Sequence, residues 1–210
     1  MTLEIIAAFA ATSIVLSLAP GPDNIFVLTQ SAMHGPQAGL MVTLGLATGL
    51  LFHTAAVVFG LAALIQVSVA AFTTLKVLGA AYLIYLAWKS FRAAPMETAG
   101  PEAGKSRHMS SAAYYRRGII MNALNPKVSI FFLAFLPQFI DPVAGNIEGQ
   151  MLILASVFFA VTLVVFSVVA VVAGKLGDAF ARTPKVQNII NKTASAVFFG
   201  LAAKLLLTER

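Results

Sequence analysis

The chain of 210 residues is 59% hydrophobic and only 10% charged, with a mean hydropathy of +0.88, whereas soluble domains carry about 25% charged residues. Its 14 Lys and Arg and 8 Asp and Glu cannot build the polar skin of a soluble domain, so the bilayer is its solvent and no separate soluble domain is expected. With no cysteine, disulfides, thiolate metal sites and thiol nucleophiles are excluded, and the excess of six positive charges reports membrane orientation before nucleic-acid binding.

The first apolar segment, 3–28, begins with Glu4 as its only early charge, which predicts a retained helix and not a secretory leader. Pro20, Gly21 and Pro22 break it just before Asp23 and Asn24, because each proline removes a donor and crowds the preceding turn. After Gly35 and Pro36 a second helix is expected over 38–64 and a third over 67–88. Residues 89–117 hold Pro95, Gly100, Pro101 and Gly104 among six Lys and Arg, the composition of a loop. A fourth helix, 118–136, is interrupted at Asn125, Pro126 and Lys127 and closes into a turn bearing Asp141 and Glu148. A fifth is expected over 151–174 and a sixth over 186–207. The expected fold is therefore a single all-α transmembrane domain, 1–210, of six helices with the first and fourth broken.

Ten Lys and Arg sit in the loops after the third and fifth helices, counting Lys192 in the opening turns of the sixth, and none in the other connections, so these loops face the cytoplasm and both termini face outside. Trp88, Tyr114 and Tyr115 flank the larger basic loop, where an aromatic belt would lie. A first segment that dips in and returns would instead leave five spans and a cytoplasmic N-terminus. Three helices per half make the second half run inverted to the first, each half opening with a broken helix, the arrangement of a transporter whose site lies at the repeat interface.

Asp23 and Lys127 each sit at one break, and a charge inside a membrane helix faces a partner or a water-filled cavity. Asn125 before Pro126 reads as an N-cap with proline at the first helical position, aiming free N–H groups and a positive dipole end at an anion. A zwitterion would offer its carboxylate to those groups and Lys127 and its ammonium to Asp23, with Asn24 and Asn122 as neutral partners. The competing readings are a helix cap with a snorkelling lysine, or a resting ion pair with no ligand. Lys76 reads as an interface lysine. Gly45 and Gly49 form a small-residue seam for helix packing, and His53, one turn further, is either a satisfied interior histidine or a proton relay. Gly100 to Ser106 spells GPEAGKS, one residue short of a phosphate-binding loop and following no strand. Asn191, Lys192 and Thr193 match a glycosylation acceptor but lie on the expected cytoplasmic side.

Three blocks, LAPGPDNIFVLTQS at 18–31, LKVLGAAYLIYLAWKSFRA at 75–93 and NALNPKVSIFFLAFLPQFIDP at 122–142, resemble the LysE/RhtB family of amino-acid exporters. The resemblance implies a bacterial inner-membrane protein exporting small amino acids, with the proton motive force as drive, protons as coupled partner, a homodimer as assembly and no cofactor. The family's proline-glycine-proline element falls on Pro20, Gly21 and Pro22, and its asparagine-proline-lysine element on Asn125, Pro126 and Lys127. The pattern is closer to homoserine/threonine and leucine exporters than to a cadmium branch, which would need thiolates. The alternatives are an exporter of a basic amino acid or another small metabolite, or a non-transporting membrane protein. Against an enzyme stands the lack of any Gly-x-Ser-x-Gly or His-Glu-x-x-His motif.

Overall fold

In a computed structural model, residues 1–61, 69–93, 109–141, 143–176 and 184–207 are described. They are helical, with no strand among them. The elements are α1 (Leu3–Leu18), α2 (Pro22–His34), α3 (Pro36–Ala55), α4 (Val69–Arg92), α5 (Ser111–Ala123), α6 (Pro126–Ile130), α7 (Ile147–Leu176) and α8 (Pro184–Leu207). α3 runs on into a π-helical turn, Ala56–Leu61, and α6 into a π-helical turn, Phe131–Phe135, and a 3₁₀ turn, Leu136–Phe139.

Pro36–Gly60 and Ile147–Lys175 are each long and apolar enough to cross a membrane. Two further spans arise if each bent pair counts as one: Leu3–Leu18 with Pro22–His34, bent by 61°, and Ser111–Ala123 with Pro126–Phe139, bent by 46°. Large apolar side chains such as Leu51, Phe52, Phe59, Leu78, Val164 and Phe199 point outward, as lipid-facing positions do when the apolar solvent is outside.

Several boundaries depart from the sequence reading for local reasons. The first helix of the 3–28 segment stops at Leu18, where Ala19 turns extended ahead of Pro20. Its second part runs past Leu28 to His34, with the Thr29 and Ser31 hydroxyls satisfied on the carbonyls of Ile25 and Val27 at 2.7 and 2.6 Å. It ends at Gly35, whose φ of 86° is open to glycine at little cost. The 89–117 loop is shorter than expected: α4 continues to Arg92, and α5 starts at Ser111, with Ser110 accepting from the Ala113 N–H at 3.3 Å as an N-cap. The fifth helix begins at Ile147, after a turn held by Gln150, whose side chain accepts from Asp141 N–H at 2.9 Å and donates to the Asp141 and Gly145 carbonyls.

α3 lies along α5, α7 packs against α1, α2 and α3, and α4 pairs with α8. The α3–α5 contact is close because it is glycine-lined: a Cβ on Gly45 would stand 2.1 Å from the Tyr115 carbonyl oxygen, one on Gly49 2.7 Å from Asn122 Cβ, and one on Gly118 2.4 Å from the Val42 carbonyl oxygen. Backbones at that distance gain dispersion contacts that longer side chains would forbid. Beyond the second break, Phe9, Phe131, Phe132, Phe135, Phe139 and Phe158 form one buried aromatic cluster. Tyr114 belongs to the interior, only 1% exposed against Val27, Val42 and Phe166, so the expected aromatic belt loses it. Trp88 stays half-exposed with the Arg92 guanidinium 4.2 Å above its ring. The GPEAGKS stretch lies outside the described residues.

Candidate functional site

Both breaks bring polar groups into the apolar interior, and each is completed by the other. α1 ends with carbonyls that have no partner further along the helix. The Lys127 ammonium, carried on α6, donates to one of them, Leu16 O at 3.1 Å, and to the carbonyl of the C-cap residue Ala19 at 3.2 Å. A cation there also meets the negative end of the α1 dipole. Asp23 sits in the first turn of α2, where the dipole favours an anion. Asn125 joins the two: its Oδ1 accepts from the Lys127 backbone N–H at 2.9 Å, capping α6, and its Nδ2 donates to Asp23 Oδ2 at 2.8 Å. Asp23, Asn122, Asn125 and Lys127 are all at least nine-tenths buried. Two opposite charges thus share one polar cluster and act on each other electrostatically, with no direct hydrogen bond between them.

Two cavities flank this cluster. The larger, about 570 Å³, is walled by Pro20, Gly21, Pro22, Asn125, Pro126 and Lys127 from the breaks and by Tyr82, Tyr85, Leu86 and Ser90 from α4, a volume in the range of small-molecule sites. The smaller, about 10 Å³, is lined by Ser17, Asp23, Asn122, Lys127 and Thr162 with apolar neighbours. Lys127 lines both.

The sequence-predicted residues divide between these spaces. Asn125 and Lys127 face the large cavity, with Pro20, Gly21, Pro22 and Pro126 as its rim. Asp23 and Asn122 face the small one, and Asp23 reaches the large cavity's wall only through Asn125. Asn24 lines neither and instead ties α2 to α1, donating to Ser17 O at 2.7 Å. His53 donates from Nε2 to the Asn122 carbonyl at 2.9 Å, beside the cluster and buried. Gly45 and Gly49 lie on the α5 seam described above.

Sequence reasoning missed Ser17 and Thr162, which line the small cavity, and Ser90, which lines the large one beside Tyr82 and Tyr85. The only available signal was a hydroxyl in an apolar stretch, and most such hydroxyls here bond to their own helix. Asn191 of the glycosylation match is buried and donates to the Ala93 carbonyl at 3.2 Å.

The family model for LysE type translocators matches residues 14–209. Among curated proteins, the homoserine/homoserine lactone efflux protein of Salmonella typhimurium is 35% identical over 208 residues, covering 98% of this chain and 97% of the relative. The leucine efflux protein of an Enterobacter species is 31% identical over 193 residues, covering 90% and 88%. The Bacillus subtilis membrane protein YrhP is 35% identical over 203 residues, covering 94% and 96%. No solved structure matches. With a family match across nearly its whole length and relatives named as membrane proteins or as efflux proteins, the chain belongs to the LysE type translocators, a transporter family, and is a helical membrane protein consistent with a bacterial inner membrane.

Proposed function

We propose that this protein is a secondary active exporter of small neutral amino acids, of the homoserine, threonine and leucine kind, and that the large cavity between the breaks is its substrate site. The observation carrying this reading is Lys127: a buried ammonium with two of its three donors on the carbonyls of Leu16 and Ala19 at the end of α1, in the wall of a cavity sized for a small molecule. Its remaining donor suits a substrate carboxylate. Ser90, Tyr82 and Tyr85 offer hydroxyls to the polar end of homoserine or threonine, while Ile25 and Leu86 offer apolar surface to an aliphatic side chain. A lysine in the wall disfavours a substrate with a cationic side chain, which sets the basic amino acids below the neutral ones.

The helix contacts support a six-span, 3+3 inverted repeat in one domain. Exchanging the first broken helix with the second, α3 with α7 and α4 with α8 turns the α3–α5 contact into the contact of α7 with α1 and α2, and leaves the α4–α8 and α3–α7 pairs unchanged. α4 and α8, 24 residues each, are about 36 Å long, enough to span. The cavity lies near the C-terminal end of α4, at Lys89, Ser90 and Ala93, beside the basic connection that charge retention assigns to the cytoplasm, so this state faces inward. Proton drive and a homodimer complete the proposal on the family resemblance; no catalysis is invoked.

The test is uptake of labelled homoserine, threonine and leucine into inverted vesicles under an imposed pH gradient. Gradient-dependent uptake of at least one, lost in Lys127→Gln, supports the reading. Uptake of none above vesicles lacking the protein overturns it.

A further inference from the structure

Gly21 and Lys127 stand together in the wall of the large cavity. The backbone at Gly21, with φ −174° and ψ 173°, is extended, a conformation any residue adopts. Backbone packing does not demand a glycine there either, as it does at Gly45: a Cβ on Gly21 would meet only Lys127 Nζ at 3.2 Å, Lys127 Cε at 3.7 Å and the Ala19 carbonyl oxygen at 4.0 Å. What the missing Cβ leaves is open space beside the ammonium. Two of the three ammonium donors are engaged by Leu16 O and Ala19 O. An anionic oxygen in that space, at about 2.8 Å from Nζ, would take the third. The space is a seat for one carboxylate.

No matching seat awaits an ammonium. Among the described residues the wall of the cavity holds two cations, Lys127 and, toward its inner end, Lys89, and no Asp or Glu. Asp23 is 2% exposed and lines the small cavity instead, with its Oδ2 accepting from Asn125 Nδ2. Asn125 Oδ1 accepts in turn from the Lys127 backbone N–H, so the one side-chain amide in the wall is engaged at both ends. The ammonium of a bound amino acid would find the hydroxyls of Ser90, Tyr82 and Tyr85 and two ring faces, beside two like charges and with no counter-charge.

We propose that the cavity recognises the carboxylate of its ligand and not the amine, and that the transported class therefore extends to small monocarboxylates without a free α-ammonium: hydroxy acids and N-acylated amino acids. Removing the ammonium takes a like charge away from Lys127 and Lys89 and breaks no ion pair, whereas removing the carboxylate leaves the third Lys127 donor empty. The volume, about 570 Å³, has room for an acyl group as well as the amino acid. Gly21 is the positioning residue, because a side chain at that place takes the carboxylate's seat. Transport of this class rests on the export reading; its binding does not.

The experiment uses the purified full-length protein in detergent and reads its melting temperature against ligand concentration, since a bound ligand raises it by mass action. Homoserine is compared with 4-hydroxybutanoate, which lacks only the ammonium, and with 3-amino-1-propanol, which lacks only the carboxylate; threonine is paired with 3-hydroxybutanoate and leucine with N-acetylleucine. At least one amine-free acid should show a midpoint within about threefold of its parent amino acid, and 3-amino-1-propanol one at least about tenfold weaker than homoserine. Gly21→Ala, whose Cβ meets only the end of a flexible side chain and one distant carbonyl, should raise the acid midpoints several-fold, and Lys127→Gln should abolish the response. Acids about tenfold or more weaker than their parents in all three pairs overturn the proposal; so do 3-amino-1-propanol matching homoserine, midpoints untouched by Gly21→Ala, and no response to any compound. Labelled forms of the acids that bind are then offered to inverted vesicles. Uptake above vesicles lacking the protein extends the transported class, and uptake of amino acids without those acids overturns that extension. Acids that bind while neither they nor the amino acids are taken up would sink the export reading and leave the carboxylate seat standing.

Discussion

The two proline breaks look alike in sequence and are built differently. At the first, Gly21 precedes α2 without a side-chain cap, and the end of α1 is held by a lysine from the other half of the chain. At the second, Asn125 caps α6 itself and reaches back to Asp23. After the first break the chain resumes as regular α-helix to His34, and after the second it tightens and loosens through π and 3₁₀ turns to Phe139. The first break therefore supplies buried carbonyls without a partner of their own helix and an acid, and the second supplies the side chains that satisfy them. A pair of broken helices can bury two opposite charges without a direct salt bridge, each charge resting on the other helix's end or in its own dipole.

This comparison predicts unequal consequences for matched changes. Lys127→Met should be the most damaging, leaving the Leu16 and Ala19 carbonyls unpaired; we expect export at background and a loss of about 3 kcal/mol, larger than for Asp23→Asn, whose amide oxygen can still accept from Asn125. Denaturation in detergent alongside vesicle flux ranks the two, and an equal loss from Asp23→Asn would mean the breaks depend on each other symmetrically.

Gly45→Leu pushes α5, and with it the second break, away from α3. A cost of about 2 to 3 kcal/mol is expected from overpacking against backbone, read as a reduced yield of folded protein in detergent. Full yield with normal flux would show that the seam does not position the second break.

Asn125→Ala removes a cap and frees Asp23. About 1 kcal/mol of stability should go, together with a roughly tenfold fall in flux. Gly21→Ala is the mildest: its Cβ would stand 3.2 Å from Lys127 Nζ, the end of a flexible side chain, in an extended backbone that any residue adopts. Melting should stay within a degree or so of wild type while the KM for substrate rises a few-fold. A strongly unfolded Gly21→Ala would mean that the first break is as tightly specified as the second.

What could be read from the sequence followed what is local. Pro20, Pro22 and Pro126 mark the breaks because a missing N–H acts within one turn, and Asn125 before Pro126 announces its own cap. Glycines spaced by four marked the face of α3 that meets α5. The contacts that turn these signals into a site join residues about a hundred positions apart: Asn125 to Asp23, Lys127 to Leu16 and Ala19. No periodicity reports such pairs. For the same reason Ser17 and Thr162 were indistinguishable from hydroxyls that bond to their own helix, and Tyr114, placed at the interface by its neighbours in sequence, is buried because α5 begins earlier and packs on α3. Hydropathy gave α3 and α7 readily but blurred α4 and α8, whose lysines dilute the apolar run.

The claim that the large cavity holds the exported amino acid can be tested on a chain that contains no cysteine. Ser90→Cys places a single thiol in that cavity's wall at almost no change in volume. Its alkylation by a small thiol reagent should slow several-fold when homoserine, threonine or leucine is present at saturating concentration, and a Phe59→Cys control on the lipid-facing surface should not respond. Alkylation of Ser90→Cys at the same rate with and without all three, in a preparation that transports one of them, would contradict the assignment of the cavity.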